Sequence, residues 1–113
     1  MLYQQGDVLI ELVEEIPSEA KKCDTKGGSY VLAEGEVTGH SHTVDSGVAT
    51  LLETKDSTGK RNGLFMEVFG AKGAGVVIKH QEHKKIKVPN GKYRVRQVRE
   101  YDHFEGEARH IRD

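Results

Sequence analysis

The chain has 113 residues, 35% hydrophobic and 31% charged, with 17 Lys and Arg against 18 Asp and Glu. That length predicts one domain over residues 1–113, and the near balance of charge excludes a uniformly basic nucleic-acid binder and an acidic disordered tail. The absence of a long apolar run or a charged-then-apolar leader argues against a membrane segment and a secretory signal, and a single cysteine, Cys23, excludes a cysteine zinc cluster and points to a reducing cytoplasm.

The hydrophobic period along the chain is two. In residues 7–13 it places Val8, Ile10 and Leu12 on one face and Leu9 and Val13 on the other. Residues 14–22 are the best helical stretch, limited to a turn or two by Pro17. Short apolar runs follow at 29–33, 48–53, 64–69, 75–79 and 92–99. Turn signals separate them: Gly27-Gly28, Asp45-Ser46-Gly47, Ser57-Thr58-Gly59, Asn62-Gly63 and Pro89-Asn90-Gly91. The glycine-rich segment 70–75 lacks the Gly-Lys-Ser/Thr ending of a phosphate loop and reads as a flexible hairpin connection. From Tyr101 onward the chain is acidic and aperiodic, a tail that frays or orders on docking. The expected fold is all-β: a small barrel or sandwich of about six to eight short, mostly antiparallel strands, closed or nearly closed to protect its edges.

The chemistry-bearing residues are histidines. His40 and His42 sit in Gly39-His40-Ser41-His42-Thr43-Val44, and on a strand residues i and i+2 project from one face, so both imidazoles can converge on one ion. His80 and His83 frame His80-Gln81-Glu82-His83, and their spacing converges only if the strand ends near His80 and the chain turns. A divalent ion needs nitrogens at about 2.0–2.1 Å and usually three or four ligands, which the two pairs together supply. Glu82 is then the nearest candidate for orientation or proton transfer. Three protein ligands leave a position for an activated water, whereas four make the ion structural. The competing reading makes His40 and His42 exposed turn residues and places His80 and His83 in a solvated loop. His103 and His110 fall in the tail, outside the expected ligand set.

Two other features are weighed against this. Lys92, Arg94 and Arg96 share one face of a strand, with Tyr93 and Val95 on the other; the strip fits a phosphate backbone or a solvated charged face. Cys23 lies beside Lys21 and Lys22, which lower a thiol pKa, but no His is near it in sequence.

Three segments taken together resemble a known pattern: Gln5-Gly6-Asp7-Val8-Leu9, the stretch 32–42 ending in Gly39-His40-Ser41-His42, and His80-Gln81-Glu82-His83 followed by Pro89-Asn90-Gly91-Lys92-Tyr93-Arg94-Val95. They resemble a family of small uncharacterised bacterial and phage proteins, over residues 5–101. The resemblance implies that both histidine pairs belong to one pattern. Here Lys84-Lys85 stands where a small apolar residue and a proline are expected, giving a more polar loop. A looser similarity is to cupins, which carry His-x-His on a barrel strand, and a fainter one is to the chaperonin co-factor barrel; neither carries function. The sequence thus predicts a cytoplasmic β-protein binding a divalent metal through His40, His42, His80 and His83, with zinc first and iron or manganese next. The alternative is a non-enzymatic module, phage-associated, that assembles as a homo-oligomer or binds nucleic acid through Lys92, Arg94 and Arg96.

Overall fold

Alternating side chains in short aliphatic runs make strands, and the computed structural model describes residues 1–34, 40–73, 75–81 and 83–98. Among the described residues there are ten strands and no helix. They are β1 (Leu2–Gln5), β2 (Val8–Val13), β3 (Lys21–Lys22), β4 (Ser29–Glu34), β5 (Ser41–Asp45), β6 (Ala49–Lys55), β7 (Arg61–Val68), β8 (Val76–Ile78), β9 (Ile86–Val88) and β10 (Gly91–Gln97).

A six-stranded antiparallel sheet runs in the order β1-β2-β10-β7-β6-β3, and two further pairs, β4-β5 and β8-β9, stand outside it. An antiparallel bridge between Thr43 and Lys79 ties the two small pairs together. The first and last long strands meet side by side, from Val8↔Gln97 to Val13↔Lys92. One hydrophobic cluster joins all three sheets: Val8 and Ile10 from β2, Tyr30 and Leu32 from β4, Val44 from β5, Leu51 from β6, Met66 from β7, Ile78 from β8, Val88 from β9 and Tyr93 and Val95 from β10. Residues two apart on each strand supply it, as the period of two requires. Tyr93 is the largest fully buried side chain in it and donates its hydroxyl hydrogen to the Pro89 carbonyl at 2.8 Å.

Several expectations are corrected. The all-β, mostly antiparallel expectation holds, but with ten strands rather than about six to eight, because β1, β3 and β9 carry too few apolar residues in a row to stand out. The sheet does not close on itself among the described residues; β1 and β3 end it. No helix forms at 14–22: Pro17 accepts the Ala20 N–H in a turn, and Lys21–Lys22 pair with β6. Asn62-Gly63 is not a turn but part of β7, opposite Thr54. The reversal lies earlier, where Asp56 Oδ1 accepts the N–H groups of Thr58 and Lys60. The glycine-rich segment after β7 is no hairpin, since it leads to β8 in another sheet. Leu12 shares the face of Val8 and Ile10 as expected but, near the end of β2, stands 46% exposed.

Candidate metal centre

The centre is built where three segments meet: the β1–β2 turn, the start of β5 and the chain between β8 and β9. In β5 the inward positions are His42 and Val44, so alternation alone drives His42 into the core, where it is 1% exposed. His40 lies just before β5 rather than on it. Strand β8 ends at Ile78, and Lys79 exchanges two backbone hydrogen bonds with Thr43, each 2.9 Å. The next residue, His80, is thereby delivered beside His42. The chain then bends, as the spacing required, and the His83 N–H donates to His80 Nδ1 at 3.2 Å.

The two pairs come together. His80 contacts all three other rings, with centroid separations of 5.7 Å to His40, 4.3 Å to His42 and 4.6 Å to His83. His42 and His83 stack at 5.8 Å with planes 14° apart. Imidazoles sharing one tetrahedral ion at about 2.0–2.1 Å have centroids roughly 5 Å apart, within this range. The nitrogens are not preset as a complete ligand set, however: among the described residues, no group of three or more His, Cys, Asp or Glu is arranged to hold an ion.

Gln5 organises the cluster. It is fully buried, and its amide nitrogen donates to the carbonyls of Ile78 at 2.9 Å and Lys84 at 2.8 Å, clamping both ends of the segment that bears His80 and His83. Two carbonyls on the amide nitrogen fix which way the group faces, so Oε1 is the atom 2.8 Å from His42 Nδ1. Nδ1 therefore carries the hydrogen, and Nε2 presents its lone pair. Gly6 follows at φ +58°, and a Cβ there would overlap the His83 ring. Asp7 completes the turn, with Oδ1 3.4 Å from His42 Nε2 and Oδ2 accepting the Gln97 amide at 2.8 Å. From the other side, the Ser41 N–H donates to Gln81 Oε1 at 2.9 Å.

Burial pushes the His42 pKa down to about 4, and the neighbouring His80 and His83 reinforce this against the pull of Asp7. The ring is neutral near pH 7, the state a metal ligand requires.

Residues 4–98 match the family described as a domain of unknown function, DUF8820. The chain belongs to the DUF8820 family. No curated protein and no solved structure matches it. Within this DUF8820 chain the matched region takes in Gln5, Asp7 and both histidine pairs. The sequence pattern singled out Gln5-Gly6-Asp7 only as part of a resemblance; their approach to the histidines follows from tertiary pairing.

The remaining candidates lie elsewhere. Lys92, Arg94 and Arg96 do face outward while Tyr93 and Val95 are buried, but Lys92 lies 3.8 Å from Glu15, and Arg96 lies 3.9 Å from Glu11. Cys23 lines a separate cleft of about 520 Å³ with Glu53, Arg61 and Gln97. Its thiol pKa is raised by burial and by Glu53, contrary to the lowering expected from its lysine neighbours. Glu82, His103, His110 and the tail 101–113 lie outside the described residues. Among the described residues no helix is long and apolar enough to cross a membrane.

Proposed function

We propose that this DUF8820 domain binds one divalent transition-metal ion through the imidazoles of His40, His42, His80 and His83, with zinc the first candidate and iron or manganese next. The observation that carries this reading is the packing of four imidazoles, from two segments distant along the chain, around a buried His42. Four imidazoles gathered at a buried position, with Gln5 holding one of them by Nδ1, form a donor cluster that packing alone does not call for. An ion supplies partners to several rings at once. The terminal rotation of an imidazole about χ2 is soft, so the rings have freedom to turn nitrogens towards an ion. His80 joins by giving up the 3.2 Å bond that Nδ1 accepts from the His83 backbone, which shifts its hydrogen to Nδ1 and turns its Nε2 lone pair to the metal. With three ligands the open position takes a water whose pKa falls to about 7; with four the ion is structural.

The nucleic-acid alternative is weakened by charge pairing. In register, Glu67 faces Lys92 and Glu11 faces Arg94 on the neighbouring strands, so the basic strip is interleaved with carboxylates. Elemental analysis of protein purified without an affinity tag separates the two readings. One equivalent of zinc, iron or manganese, lost in the His40→Ala/His42→Ala double variant, supports the metal centre. Metal-free protein that takes up none on titration, and whose oligonucleotide binding falls steeply with salt, supports the alternative.

A further inference from the structure

In the neutral form that a metal ligand requires, His42 has one ring hydrogen and faces two oxygen acceptors, Gln5 Oε1 at 2.8 Å and Asp7 Oδ1 at 3.4 Å. Either tautomer sets one nitrogen lone pair against an oxygen lone pair. The Gln5 contact is the shorter and its orientation is fixed by Ile78 and Lys84, so the hydrogen lies there and the conflict falls between Nε2 and the Asp7 carboxylate. A nitrogen lone pair aimed at a carboxylate from a ring that is 1% exposed is unfavourable unless a positive charge, a proton or a metal ion, lies between them.

We infer that Asp7 is a ligand of the same ion, bridged with His42 Nε2 by the metal. This rests on the metal-binding reading above and puts a carboxylate in the tetrahedral set in place of one of the three imidazoles other than His42. The spacing fits: two donors each about 2.0–2.2 Å from an ion at the tetrahedral angle stand roughly 3.4 Å apart. The carboxylate is held for the task, since Gln97 donates to Oδ2 and leaves Oδ1 turned to His42. Its charge offsets part of the ion's in a centre where the imidazoles supply none. Imidazole nitrogens with one carboxylate and no thiolate suit zinc, iron(II) or manganese(II) over calcium or magnesium.

The Asp7→Asn variant tests this. The asparagine amide can donate to the His42 Nε2 lone pair, which removes the conflict in the metal-free protein while deleting the anionic ligand. Zinc titration against a chromophoric chelator is expected to show one equivalent bound by wild type and an affinity at least ~10-fold weaker in Asp7→Asn. The thermal midpoint of the metal-free variant is expected to equal or exceed that of wild type. Asp7→Ala, which opens the gap to water, is the second variant, with the same expected loss of affinity. Zinc binding as tight as wild type in both variants overturns the assignment of Asp7 and leaves the imidazole centre standing. Wild-type protein that binds no zinc overturns both.

Discussion

His42 is an inward-facing strand residue, in line with Val44, whose neutrality is enforced by its surroundings. That has a consequence for acid stability in the metal-free protein. The folded-state pKa of about 4 lies below the ordinary value of 6.5, so the unfolded chain takes up the proton first as pH falls. Stability is expected to drop as pH goes from about 6.5 towards 4, by roughly 3 kcal/mol at most from this residue. Urea midpoints measured in a chelator should fall already between pH 6.5 and 5, above the range where carboxylates dominate, and should fall less in His42→Gln. A flat wild-type profile to pH 5 contradicts the buried neutral ring. At this scale the four histidines were legible from spacing, including the need for a bend after His80. Gln5 and Asp7 were not, because nothing local connects a β1–β2 turn to a histidine on β5; the connection is made by the packing of β5 and β8 against that turn.

The β1–β2 turn does two things with one glycine. Its positive φ lets a two-residue loop join paired strands, and its missing side chain makes room for His83. Gly6→Ala meets a left-handed backbone cost of about 1–2 kcal/mol and a collision with the ring, so a loss of at least ~2 kcal/mol in urea unfolding is expected. A variant as stable as wild type would mean the His83 ring does not rest there. In β10, Tyr93→Phe removes the part-buried bond to the Pro89 carbonyl and should cost about 1 kcal/mol by the same assay. The longer strands were readable because their alternation runs over enough residues to stand out. β9, with Ile86, Lys87 and Val88, is interrupted by a lysine and follows Lys84-Lys85, so no apolar run marks it as one marks β8. Residues 14–22 looked helical by composition, but Pro17 and the pairing of Lys21 with Glu53 decide against it. Asn62-Gly63 carries a strong turn signal, yet the Asp56 hydrogen bonds close the reversal first and leave β7 free to run through it.

As a whole, the molecule draws three sheets onto one core that contains few large aromatic residues, and the histidine cluster sits where the two small pairs meet the β1–β2 turn. An ion bound there ties those parts together only in the folded state. At zinc a hundred times above its Kd, the stabilisation is about 2.7 kcal/mol, or roughly 10 °C in Tm for a chain of this size. Calcium at the same concentration should leave Tm unchanged, as should zinc with the His40→Ala/His42→Ala variant. The fold class was legible in the period of two, whereas the sheet order was not, because pairing of β2 with β10 joins opposite ends of the chain. The central claim is that imidazoles from both segments share one ion, and ring-nitrogen NMR of histidine-labelled protein tests it most directly. One equivalent of zinc should shift the ring nitrogens of His42 together with those of at least two among His40, His80 and His83, leaving His103 and His110 in place. Shifts confined to His103 and His110, or none at all, would contradict the account.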